Sequence, residues 1–267
     1  MTIEAERRDW FASSRVVDRA VSAFRATWPI GLASVLLLVV APQMFGYWLD
    51  GPAGLLTITG RAFDGAFAGG PGAFDAGPAA FAVLAAVLGV FCQALLVMVA
   101  LASFRGERLR LGEALGAGLR LLPAALGIAI LTTLGILLGL LLLIVPGLML
   151  MTIWMVSLPV QAHGRPGVIA AIQESGELTK GVRWQVFFLV VGTSLAIGFA
   201  NWLIGIVPRM MPEVLPVSLQ DIDAALLQPV FDGVSALAMA YGSASLFHEL
   251  KWGGRLGHEE AAAEVFA

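Results

Sequence analysis

Charge is scarce in this chain. Only 13% of its 267 residues are Asp, Glu, Lys or Arg, against about 25% in soluble domains, so a water-facing surface of ordinary composition cannot be built from it. Cysteine occurs once, as Cys92, which excludes an intramolecular disulfide and any multi-cysteine metal site. Within its apolar run, Cys92 reads as a packing residue. The three histidines, His163, His248 and His258, do not stand at metal-ligand spacing, and His248-Glu249 lacks the second histidine of an HExxH zinc helix. No GxSxG elbow, Walker A loop or dinucleotide fingerprint occurs. The expectation is a protein without catalytic residues, metal or cofactor. A net charge of −3 argues against a nucleic-acid partner.

What the chain has in abundance is apolar length, with 58% of its residues hydrophobic. The 42 residues from Leu121 to Ala162 carry no charge at all. As one helix they would run about 63 Å, roughly twice the hydrocarbon thickness of a bilayer. The run therefore folds back, and Val145-Pro146-Gly147 is the expected corner, since proline suits the first turn of a new helix. This gives two spans, Leu122–Ile144 and Pro146–Ala162. Four further apolar runs, Pro29–Trp48, Ala79–Ser103, Trp184–Val207 and Ala224–Phe247, approach or exceed the ~20 residues a crossing needs. The fold class is all-α, an integral membrane bundle of six transmembrane helices.

Basic residues set the orientation. With six spans, one side collects Arg7, Arg8, Arg15, Arg19, Arg25, Arg105, Arg108, Arg110, Arg120, Arg165, Lys180, Arg183, Lys251 and Arg255, leaving Arg61 and Arg209 for the other. The positive-inside rule makes that side, and both termini, cytoplasmic in an inner membrane. A single crossing between Arg120 and Arg165 would split the cluster, so the count independently favours the hairpin. Residues 2–27 mix basic and acidic side chains before the first apolar run, unlike a secretory signal.

Three amphipathic stripes precede the odd-numbered spans: Trp10, Ser14, Val17, Val21, Phe24 and Trp28; Leu111, Leu115, Leu119 and Leu122; and Val168, Ile172, Ser175 and Leu178. Each has the spacing of a cytoplasmic interfacial helix. The unit reads as a surface helix followed by a transmembrane hairpin, used three times. The organisation is then residues 1–27 as an N-terminal amphipathic helix, 28–250 as the six-helix membrane domain and 251–267 as a flexible cytoplasmic tail. Residues 50–78 read as an outer loop and Pro208–Asp223 as an irregular connection, with Asp221 or Asp223 capping the sixth helix. Most of the seven tryptophans fall near span ends, as an interfacial belt would; Trp154 alone lies within a span.

Asp232 is the one charged residue placed inside a span, where a carboxylate costs ~2.5–3.5 kcal/mol to insert. Gln228, Asp232 and Ser235 share a helix face, and Asn201 is a further polar group on the fifth span. Together they form a candidate intramembrane polar site, read against a structural role in helix–helix hydrogen bonding. Gln93, Thr132, Thr133, Thr193 and Ser194 read as interhelical hydrogen-bonding groups. Gly135 and Gly139 form a GxxxG suited to close packing, inside the bundle or between protomers. On the basic side, Arg15, Arg19, Arg110, Arg120, Lys180 and Arg183 are candidate contacts for anionic headgroups.

The segment Gly167–Phe187, with Glu174-Ser175-Gly176-Glu177-Leu178-Thr179-Lys180-Gly181 followed by Arg183-Trp184-Gln185-Val186-Phe187, resembles the glycerophosphoryl diester phosphodiesterase membrane domain family. The Val145-Pro146-Gly147 corner and the exit of the last span, Tyr241 to Leu250, are also similar. Gly176 stands where tryptophan is usual, and His163 where an acidic residue is common. The resemblance implies a six-helix bacterial membrane domain whose relatives carry phosphodiesterase activity in a separate soluble domain. The function expected is a non-catalytic scaffold or accessory factor in membrane lipid or envelope homeostasis. Its partners would be membrane lipids, with a homo-oligomer or another membrane protein also possible. The alternative is a small-molecule or lipid transporter or channel with a polar site around Asp232.

Overall fold

A computed structural model describes residues 11–50, 76–210 and 227–253; they are almost wholly helical and contain no strand. Helix α1 (Ser13–Val35) passes through a π-helical turn, Leu36–Val40, into α2 (Ala41–Asp50). Then follow α3 (Ala76–Phe104), α4 (Leu111–Leu142), α5 (Ile144–Trp154), α6 (Ser157–Gly164) and α7 (Val168–Leu178). The last two are α8 (Arg183–Met210) and α9 (Gln228–His248), which a second π-turn, Glu249–Gly253, prolongs. Six helical stretches are long and apolar enough to cross a membrane: Ser13–Gly46, Val83–Phe104, Leu111–Leu142, Val145–Gly164, Arg183–Ala200 and Gln228–Gly253. They mark a multi-pass membrane protein. Of the expected outer loop at 50–78, Asp50 ends α2 and residues 76–78 begin α3, and Pro208 of the expected connection still belongs to α8. Residues 51–75, Asp221 and Asp223, and the tail beyond Gly253 lie outside the described residues.

The charge-free run folds back as its length demands, but at Leu143 rather than at Val145-Pro146-Gly147. Leu143 is extended (φ −163°, ψ 142°) and is the one residue between α4 and α5. Pro146 is already the third residue of α5, where its missing amide proton costs nothing because the first N–H groups of a helix have no intrahelical partner. The chain therefore turns before the proline. What the corner needs from glycine is proximity: a Cβ on Gly147 would stand 2.6 Å from the Leu140 backbone nitrogen, and one on Gly139 2.9 Å from the Gly147 Cα. Gly135 faces the Trp154 ring in the same way. Gly135 and Gly139 thus serve packing within one chain.

Two of the three amphipathic stretches are continuous with the spans they precede. Helix α4 has 32 residues and runs about 48 Å, well beyond the ~30 Å hydrocarbon core. It contains Pro123, and α1 contains Pro29, each where the amphipathic part meets the apolar part. Only α7 is a separate short helix. Its Ser175 is fully buried and donates to the Ile153 carbonyl at 2.6 Å, seating α7 on α5. Gly167, at φ +100°, makes the bend before α7 and donates its N–H to Gln161 Oε1 at 3.0 Å.

Helices α1, α3 and α9 pack on one another and form the centre, with α4 against α3 and α6 wedged beside both. Leu95, Leu96, Val97 and Val99 of α3 and Leu246 and Phe247 of α9 are fully buried there. Helix α8 stands apart, leaning on α5 and only brushing α1 and α9. The outer surface is apolar: Leu141 is 83% exposed, and Leu137, Leu138 and Leu142 are exposed beside it. In water such a surface would be untenable; against lipid tails it is the expected outside.

Candidate functional site

Ring and ion-pair contacts gather the start of the first span and the ends of the second, fourth and sixth at one end of the bundle. Phe104, closing α3, lies edge-on to His248 at 5.3 Å between ring centroids. His163, closing α6, meets Phe247 at 5.6 Å and Trp252 at 5.3 Å. Lys251 bonds Glu174 of α7 at 3.4 Å. Among the described residues, Arg15, Arg19, Arg105, Arg165 and Lys251 belong to these same span ends. The start of the first span and the ends of the second, fourth and sixth thus stand together at one end of the bundle.

At the centre of this end is Glu249, whose side chain is 1% exposed. Arg15 donates through Nε to its Oε1 at 2.9 Å, with Nη2 2.8 Å from the same oxygen. Arg19, one helical turn on, donates through Nη1 to Oε2 at 2.9 Å. A buried carboxylate needs such company, since desolvation of an unpaired ion costs several kcal/mol. The π-turn that begins at Glu249 also carries Lys251 and Trp252, so a locally widened helix presents all three groups to their partners. The helix continues through Gly253, which folds Lys251 and Trp252 into the bundle rather than into a tail. The His248 Nδ1 is buried and has no hydrogen-bond partner among the described residues.

The sequence places Arg15 and Arg19 with the headgroup contacts, and the structure turns both toward Glu249. Their helix presents Val16, Ala23 and Thr27 inward, while the apolar stripe through Val17, Val21 and Trp28 is exposed. Arg110, Arg120, Lys180 and Arg183 stand on the exposed surface. The Arg110 N–H donates to Glu113 at 2.9 Å at the start of α4, and Arg183 reaches the Gly176 carbonyl at 3.4 Å. In the exposed turn between α3 and α4, Arg105 grips Glu107 through two nitrogens, and that hydrogen bond and charge hold the Glu107 carboxyl below its ordinary range.

The intramembrane polar group is partly assembled. Gln228 Nε2 donates to Asp232 Oδ1 at 3.2 Å, and Gln43, from the far end of the first span, also hydrogen-bonds Asp232. Ser235 turns away, donating to its own helix at the Phe231 carbonyl at 2.9 Å. Asn201 lies on α8, with its side chain outside the described ones. Of the other polar groups, Gln93 does bridge helices, donating to the Ala236 carbonyl at 3.2 Å. Thr132 and Thr193 bond back to their own helices.

Glu249 and Gln43 are the residues that sequence reasoning missed. Neither carries a spacing signal, because each partner lies about two hundred residues away in the chain. No group of three or more His, Cys, Asp or Glu stands at metal-binding distance among the described residues. Chemically, the Glu249 carboxylate has both oxygens occupied by guanidinium groups, an arrangement that ties elements together. No family model matches the chain, and no curated protein or solved structure does either.

Proposed function

We propose that this chain is a non-catalytic, multi-pass protein of the inner membrane that works as a scaffold or accessory factor in lipid or envelope homeostasis, its basic rim facing anionic cytoplasmic headgroups. The observation that carries the reading is the Arg15–Glu249–Arg19 clamp beside the exposure of Arg110, Arg120, Lys180 and Arg183 elsewhere on the surface. The buried charge is spent on closing the bundle, while the remaining cations face the level of the headgroups, where each contributes about 1 kcal/mol of attraction to an anionic surface. The resemblance of residues 167–187 to a phosphodiesterase-associated membrane domain points toward the same lipid setting.

A transport reading draws on one specific contact, the meeting of Gln43, Gln228 and Asp232 from two different spans. Against it, the centre between α1, α3 and α9 is filled by leucine, valine and phenylalanine. The deciding experiment has two arms. Deletion in the native host is expected to change phospholipid composition or envelope integrity, and proteoliposomes holding the purified chain are expected to show no solute or proton flux. Flux that disappears in Asp232→Asn would replace the scaffold reading with transport.

A further inference from the structure

Because α8 leans on α5 and only brushes α1 and α9, a gap remains between these three helices. It is a groove of about 470 Å³, within the ~300–1,000 Å³ range of small-molecule sites. Val17 and Val21 of α1, Leu189 and Val190 of α8, and Leu237 and Ala238 of α9 line it. Its walls are almost wholly apolar, and Val17 and Val21 among them are also exposed on the outer surface. A second hollow of about 560 Å³ continues it, sharing Leu189 and Thr193, and is bounded by Phe11, Ser13, Gln185 and Phe188. The slot thus runs from an apolar interior to a mouth carrying polar side chains.

Depth in the bilayer identifies what fits. Trp184 is 57% exposed at the start of α8, between Arg183 and Gln185, and exposed tryptophan with flanking arginine marks the headgroup level. The mouth at Ser13 and Gln185 therefore lies at headgroup depth, and the apolar groove at the depth of acyl chains. Arg183 is exposed two residues before Gln185 on α8, and Arg15, two residues after Ser13 on α1, belongs to a clamp in which two guanidinium groups face one carboxylate, so basic residues flank the mouth along both helices. Basic pockets between transmembrane helices on the cytoplasmic side suit anionic lipid heads. We propose that this groove holds one anionic phospholipid, with an acyl chain between α1, α8 and α9 and its phosphate at the mouth near Arg183. The site deepens the lipid-linked reading above and rests on it for the bilayer setting.

The full chain, in nanodiscs of phosphatidylglycerol mixed with phosphatidylethanolamine, would be released into the gas phase and its retained lipid counted by native mass spectrometry. Wild type is expected to keep one phosphatidylglycerol. Ala238→Trp fills the slot from α9, and Val21→Trp, at a position 43% exposed, fills it from α1; either is expected to lose the lipid while the melting temperature holds. Leu138→Trp, on a lipid-facing position away from the groove, is expected to keep it. Arg183→Gln is expected to keep a lipid but lose the preference for phosphatidylglycerol. A wild type that retains no lipid, or folded Ala238→Trp and Val21→Trp variants that retain it as wild type does, overturns the proposal. An unchanged headgroup preference in Arg183→Gln overturns the placement of the phosphate. A deletion phenotype without retained lipid removes the groove alone, whereas retained lipid without a phenotype removes the accessory role alone.

Discussion

Arg19 Nη1 stands 2.9 Å from Oε2 of Glu249, joining the first span to the last across 230 residues of sequence. Arg15 completes the grip on the other carboxylate oxygen, so a side chain that is 1% exposed has both oxygens occupied. Removing one partner of a buried pair is the costly change, because the other charge stays behind. Glu249→Ala is expected to destabilise the protein by about 3 kcal/mol, at the lower end of buried pairs because Arg15 and Arg19 keep some contact with solvent. Arg19→Ala should cost less, since Arg15 still holds the carboxylate. Thermal melts in detergent check both, and an Arg19/Glu249 double-mutant cycle that shows no coupling would refute the clamp.

The hairpin corner tolerates no added methyl. Gly147→Ala places its Cβ against the Leu140 backbone, which cannot rotate away, whereas Gly135→Ala meets the Trp154 ring, which can. We expect Gly147→Ala to cost about 1–3 kcal/mol, the usual range for overpacking, and Gly135→Ala less. Melting temperatures give the order, and the reverse order would count against the Leu143 turn.

Ser175→Ala removes the one hydrogen bond that runs from α7 to the Ile153 carbonyl. A loss of about 1–2 kcal/mol is expected for a buried pair of this kind. The informative readout is local: hydrogen exchange over residues 168–178 should rise while α3 stays protected.

Asp232→Asn is expected to change stability by no more than about 0.5 kcal/mol, since an amide can still accept from Gln43 and Gln228. Asp232→Leu leaves both glutamines without that acceptor and should cost more. Equal costs for the two variants would show that the hydrogen bonds contribute nothing.

Cys92 is fully buried, so it should resist maleimide until the protein unfolds. In a Cys92→Ala background, Arg108→Cys and Arg165→Cys should label from the cytoplasmic side and from the same side as each other. Labelling from opposite sides would break the hairpin.

Length and charge made the scaffold readable from the sequence. A charge-free run too long for one crossing must turn, and basic clusters on both flanks require an even number of crossings between them. The location of the turn was less legible, because Pro146 fits both a corner and a first helical turn, and only packing between Gly139 and Gly147 chooses. Whether the stripes ahead of the first and third spans belong to separate helices was not legible, since a stripe's spacing is the same whether the helix stops or runs on through Pro29 or Pro123. The clamp could not be read at all. A glutamate just past an apolar run has the look of a solvated end, and arginines ahead of the first span have the look of headgroup contacts, until the two ends of the chain are brought together.

That long-range pairing has a consequence for biogenesis. Glu249 is made 230 residues after Arg19, so neither Arg15 nor Arg19 can meet this carboxylate until α9 has been synthesised. A chain interrupted before α9 cannot tie α1 to the last helix through this contact. Truncation ahead of Glu249 is therefore expected to leave α1 less firmly held, and limited proteolysis over residues 13–35 would show it.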